Sequence, residues 1–286
     1  MEKENFMDKE KKLSLEEKWE NITLANNFIF YKVMHTHPEA CKHLLELLLH
    51  IKIENMEMVN EETLIIDHDA KAIRLDVYVK DSDHVYDVEV QVVNTHDLPE
   101  RARYYQSVMD VDMLKPGQTY DELKDSYVIF ICMDDIFEMG LPLYTFKYLC
   151  KEDKKIELKD RTYKLFFIAP LCAKMVKDQK AKNFFDFFIS NRTGDEYTSN
   201  LHKYVEDARH NTQWRKQYMT VEMMQNYAFK DGMEKGKDIG LLEGANKKAE
   251  ESALNFLKEG DSIEKVSRCL GLPLEKVREL AETIKK

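Results

Sequence analysis

Residues 127–133, YVIFICM, form an apolar run with no polar break. The run has the length of a strand, not of a buried helix, and predicts a strand covered on both faces. Such a strand needs neighbours on either side and a layer of helices above and below its sheet. The hydrophobic period along the chain changes as that requirement demands. Short segments rich in β-branched residues fall at 64–66, 73–79 and 85–93. The last two flank the polar stretch KDSDH and read as an antiparallel hairpin. Residues 143–149 and 163–168 predict further strands.

Helical patterns surround these segments. Residues 21–36 carry Leu24, Phe28, Phe30, Tyr31 and Met34 as a half-buried face. Pro38 opens a second helix, because proline is tolerated in a first turn. Cys41, Leu44, Leu45, Leu48 and Leu49 then share one stripe. Pro99 begins PERARYYQSVMDVDML, which stops before Pro116 and Gly117. Phe184, Phe185, Phe187 and Phe188 mark a helix packed on the core, and 211–224 predicts another. The fold class is therefore α/β, a mixed β-sheet flanked by helices and followed by a helical C-terminal tail.

Composition narrows the function. The net charge of -10 argues against a protein that coats nucleic acid, since phosphates reward surplus Lys and Arg. It does not exclude a carboxylate site whose charge a divalent cation offsets. No apolar run approaches the roughly eighteen residues that cross a bilayer. The stretch 44–49 is interrupted by Glu46, and the charged N-terminus lacks the apolar segment of a secretory signal. A cytoplasmic protein is expected. Cys41, Cys132, Cys150, Cys172 and Cys269 are widely spaced, and reduced, mostly buried thiols are expected.

The chemistry concentrates in RLDVYVKDSDHVYDVEVQV. Side chains alternate along a strand, so Glu89 and Gln91 point the same way, with Asp87 on that face as well. Hairpin pairing brings Asp76 beside Glu89. Two carboxylates converging on a strand pair suit Mg²⁺, a hard cation that prefers oxygen ligands. The backbone carbonyl of Val90 is a third oxygen donor. A bound Mg²⁺ would polarise a phosphate and acidify a water. The plain alternative is a hairpin whose outer face is acidic.

The stretches NNFIFYKVM, AKAIRLDVYV, VYDVEVQ, LPERARYYQSVMD and SYVIFICM, in this order between about residue 22 and residue 170, resemble the PD-(D/E)XK nuclease family transposases, also called recombination-promoting nucleases. The glycine-spaced tail is similar too. The resemblance implies a restriction-endonuclease-like core and a Mg²⁺-dependent DNA endonuclease, with Mn²⁺ as a substitute, linked to recombination or mobile elements. It implies that Asp76 is the motif aspartate and Glu89 the motif acidic residue, both metal ligands. Gln91 stands where many PD-(D/E)XK enzymes have lysine. Lysine brings positive charge to the reacting phosphate, whereas glutamine can only orient by hydrogen bonds. Asn27 stands where many relatives have aspartate, and Glu46 on the next helix is the candidate accessory residue in its place, set against the plainer reading of a solvated edge of an amphipathic helix. The alternative function is a catalytically weak nucleic-acid-binding or scaffolding protein that retains the fold.

Further motifs compete with plainer readings. Arg101, Tyr104 and Tyr105 share a helical stripe, with Arg103 nearby. Arg101, Arg103 and Tyr104 are candidate DNA contacts, set against packed tyrosines and solvated arginines. His35, His37, Cys41 and His43 have a zinc-like spacing, but Pro38 starts a helix among them and Cys41 lies on its apolar stripe. Gly232, Gly236, Gly240 and Gly244 recur every four residues among charged neighbours, as a helical linker or a self-association face. The last segment, SIEKVSRCLGLPLEKVREL, resembles a helix-turn-helix, suited to DNA, packing or dimerisation. The expected organisation is a charged leader over 1–20, a nuclease-like core over 21–175 and a helical extension over 176–230. A glycine-spaced linker with a helix-turn-helix-like tail follows over 231–286.

Overall fold

A computed structural model describes residues 13–59 and 75–284. The strand expected at 64–66, the start of the segment 73–79 and most of the charged leader lie outside the described residues. The chain divides into two compact units, Met1–Tyr218 and Met219–Lys286.

The first unit is built on a mixed six-stranded sheet of order β1-β2-β3-β4-β6-β5. Its strands are β1 (Glu57–Met58), β2 (Val77–Lys80), β3 (His84–Gln91), β4 (Asp125–Cys132), β5 (Leu143–Phe146) and β6 (Thr162–Ile168). β2 and β3 form the antiparallel hairpin, with Val77 opposite Val88. β4 lies parallel to both β3 and β6, and β5 closes the edge antiparallel to β6. The apolar run thus sits at the centre of the sheet, where burial on both faces selects it. β5 stops at Phe146, short of the expected 149, and only an isolated bridge joins Leu149 to Glu157.

Helices cover both faces. The first five are α1 (Leu15–Glu20), α2 (Asn27–Thr36), α3 (Pro38–Leu49), α4 (Leu98–Met113) and α5 (Ala169–Met175); α6 (Gln179–Ser190) and α7 (Glu196–His210) follow. α4 lays Leu98, Ala102, Tyr105, Val108 and Met109 on one face, against Val85, Val128, Phe130 and Phe166. Phe130 and Phe166 stack with centroids 5.3 Å apart. α2 packs against β2 and β3, and Phe185 of α6 stacks on Phe167 of β6 at 5.9 Å. Local chemistry sets the helix ends. Asn26 accepts from the amides of Phe28 and Ile29 to start α2, Pro38 lies in the first turn of α3, and His50 closes α3 in a left-handed conformation. The Trp19 indole donates to the Arg209 carbonyl, and Arg209 donates to the Ile22 carbonyl, tying the start of the described chain to α7.

The helix expected over 211–224 runs on as α8 (Thr212–Lys258), through all four glycines. Each glycine costs about 1 kcal/mol relative to alanine. Glu234, Lys235, Leu241, Leu242 and Glu243 are strong helix formers, and Lys235 pairs with Asp231 one turn back. In the second unit α9 (Ile263–Leu270) and α10 (Leu274–Ile284) turn about Gly271, whose φ of 67° favours glycine. Ala253, Val266 and Val277 form its small core.

Candidate active site

The alternation of β3 places Asp87, Glu89 and Gln91 on the face that α4 covers. Val77 pairs with Val88, and one step further along that register Asp76 meets Glu89. Asp76 does not lie within the strand, as its apolar neighbours predict, but at a bend just before β2. Side-chain bonds replace the ladder there. The Asp76 amide donates to Glu89 Oε1 at 2.8 Å, and the Val90 amide donates to Asp76 Oδ2 at 3.4 Å. Asp76 and Glu89 are thereby held together, with the Val90 amide as a further tie.

Arg101, in the first turns of α4, completes the cluster. Its Nη1 donates to Gln91 Oε1 at 2.9 Å and its Nη2 to Glu89 Oε2 at 3.3 Å. Its Nε and Nη2 donate to the Tyr105 hydroxyl at 3.3 and 3.0 Å. Gln91 in turn donates through Nε2 to the Val93 carbonyl. Arg101 therefore faces the candidate catalytic residues rather than the outer surface. Arg103 and Tyr104 do lie on that outer face, and Tyr104 is 40% exposed. Tyr105, its neighbour in the expected stripe, is packed into the core.

Asp87 is fully buried, and among the described residues neither of its carboxylate oxygens meets a hydrogen-bond donor in the observed arrangement. The Glu89 carboxyl is near enough to donate to it only when protonated. Burial, then the charge of Asp76, pushes the Asp87 carboxyl well above the usual range. Burial, then Asp76 and Asp87, does the same to Glu89, partly opposed by the Asp76 amide and Arg101. Three carboxyls thus lie close together, and the charge of Arg101 opposes the shift of two of them, Asp87 and Glu89. Sequence alternation already put Asp87 on this face, but its burial without a donor is a property of the fold.

The donor set is all oxygen, which suits a hard divalent cation, and the orphaned Asp87 oxygens leave coordination capacity unused. In the observed arrangement Glu89 spends one oxygen on the Asp76 amide and the other on Arg101. No three His, Cys, Asp or Glu side chains among the described residues form a ready metal cluster. The residues fit the ion in chemistry and charge, with Glu89 having to exchange partners.

The accessory candidates lie apart from these contacts. Asn27 is exposed in the first turn of α2 and accepts from the Phe28 amide. Glu46 accepts from the Ile53 amide at 2.9 Å and fastens the turn after α3. The zinc-like spacing resolves into ring packing: His35 on Tyr31, His37 on Tyr204 and His43 on Tyr197, with Cys41 buried.

The fold is thus a mixed sheet with helices on both faces, and Asp76, Glu89 and Gln91 lie together at its β2–β3 hairpin. Residues 25–225 match the family model of the PD-(D/E)XK nuclease family transposases, and the chain belongs to that family. Its core is accordingly restriction-endonuclease-like. No curated protein and no solved structure matches the chain. No helix among the described residues is long and apolar enough to cross a membrane.

Proposed function

We propose that this chain is a divalent-cation-dependent DNA endonuclease, acting in recombination or on mobile elements. The observation that carries the reading is the convergence of Asp76 on the buried carboxyls of Asp87 and Glu89, with the Arg101 guanidinium bonded to Glu89. Asp76, Glu89 and the Val90 carbonyl would hold Mg²⁺ or Mn²⁺, with Asp87 as a further donor. Such an ion supplies Lewis-acid chemistry for phosphodiester hydrolysis. The chain's own part is to exclude bulk water beneath α4, to fix Asp76 against Glu89, and to orient polar groups through Gln91. Arg103 and Tyr104 on the outer face of α4 are the candidate contacts to the DNA backbone. Isothermal titration of Mg²⁺ or Mn²⁺ tests the site: binding to wild type that is lost in Asp76→Ala supports it, and equal binding by both contradicts it.

A second reading rests on Glu89, whose oxygens are both engaged, and on Asn27, where an aspartate is expected. In that reading the chain keeps the nuclease fold but binds or scaffolds DNA with little cleavage. DNA binding that persists unchanged in EDTA, with no cleavage in any divalent metal, favours it. Assembly of copies through the C-terminal helices is a separate proposal. Truncation after residue 230 would lower the mass seen by light scattering if it holds.

A further inference from the structure

The site has an acidic motif and a glutamine at the position where a lysine would bring positive charge. We infer that Arg101 is the cationic catalytic residue of this site: it replaces that lysine from the following helix and contacts the scissile phosphate in the complex. The inference rests on the nuclease reading above. Three observations carry it. First, the guanidinium touches both Glu89 and Gln91, so its charge lies at the motif itself. Second, its position is fixed. Tyr105, one turn along α4, accepts two of its hydrogen bonds, and its carbon lies 5.5 Å from the Tyr105 ring and 5.6 Å from that of Phe130. Third, it is accessible. Its side chain is 27% exposed, whereas that of Glu89 is 3% exposed.

A guanidinium suits this role better than an ammonium would. It has five N–H groups in a rigid fork and can hold a carboxylate, an amide and a phosphate oxygen together. The four bonds it makes here leave one N–H without an acceptor among the described residues. That donor is available to a phosphate while the others keep their partners. Gln91 then acts as a positioning residue, holding Nη1 through its own anchorage on Val93.

The test compares wild type with Arg101→Ala, Arg101→Lys and the double variant Arg101→Ala with Gln91→Lys. Two readouts are taken: steady-state cleavage of plasmid DNA in Mn²⁺, and Mn²⁺ binding by calorimetry without DNA. Arg101→Ala is expected to lower kcat by about 100-fold or more, with KM changed far less. It should also bind Mn²⁺ roughly tenfold tighter, because a nearby like charge has gone. Moving the cation to position 91 in the double variant should restore part of kcat. Arg101→Lys keeps the charge and should retain wild-type Mn²⁺ affinity with intermediate turnover. Unchanged kcat in Arg101→Ala, or Mn²⁺ binding no tighter than wild type, overturns the inference. If wild type cuts nothing, the nuclease reading falls separately, and the Mn²⁺ titration alone decides whether Arg101 competes at the metal site. If Arg101→Ala fails to fold, wild-type turnover in Arg101→Gln overturns the inference, and loss of turnover in folded Arg101→Gln supports it.

Discussion

Replacing Asp87 by asparagine should stabilise the metal-free protein. The two side chains have nearly the same shape, so packing beneath α4 is retained. What changes is the charge. Asp87 is fully buried, its oxygens meet no donor among the described residues other than a protonated Glu89 carboxyl, and Asp76 and Glu89 lie close by. An unsatisfied buried polar group costs about 1–3 kcal/mol, and more when charged. Asparagine lifts the charge penalty, and its amide can donate to a neighbouring carboxylate. A gain of about 1–3 kcal/mol follows. In a unit of this size that is about 2–4 °C of Tm per kcal/mol. The gain has a definite pH dependence. The carboxyl is raised in the folded state, so the native protein binds more protons than the unfolded chain above the ordinary carboxyl range. Wild-type stability therefore falls as pH rises from about 4 towards the raised folded value. At low pH the carboxyl is neutral, like the amide, and the variant's advantage shrinks. Thermal melts of EDTA-treated protein from pH 5 to pH 8 measure this. An Asp87→Asn protein that is less stable than wild type at pH 8, or a difference that does not change with pH, would refute the reasoning.

Other perturbations follow from packing. Phe130→Ala should cost about 3–5 kcal/mol, since the ring is fully buried against Phe166 and Tyr105, and urea denaturation would show a smaller loss if that stack contributes little. A Cβ at Gly194 would lie 2.8 Å from Asn183 Cγ, and Asn183 bonds the Asp195 carboxylate that caps α7. Gly194→Ala should therefore destabilise by about 1–3 kcal/mol, and an unchanged Tm would mean that Asn183 gives way freely. Gly236→Ala with Gly240→Ala meets open space on α8 and should raise helix stability by about 1 kcal/mol per site, seen as slower amide exchange. Faster exchange, or a drop in assembled mass, would instead assign the glycine row to contact between copies.

Much of the core was legible because strand alternation and apolar runs are strong local signals. The run 127–133 announced a central strand, and the E-x-Q segment placed Glu89 and Gln91 on one face. Finer placement depended on partners distant in sequence. Asp76 leaves the strand because its amide finds the Glu89 carboxylate, which no local pattern encodes. Tyr104 and Tyr105 are adjacent on a helix, so a small rotation of α4 decides that only Tyr105 is buried. Arg101 turns inward by the same rotation. Glu46 was legible as a polar residue on an apolar stripe, but its bond to the Ile53 amide depends on the turn that follows α3. The unbroken α8 reflects strong helix formers around glycines that read as a helical linker.

The central claim is tested most directly by incubating supercoiled plasmid and single-stranded DNA with purified protein in Mg²⁺ or Mn²⁺, beside Asp76→Ala and Glu89→Ala. Cleavage by wild type that disappears in both variants is the predicted result. Cleavage that survives in both, or folded wild-type protein that cuts neither substrate while a control enzyme does, would contradict the account.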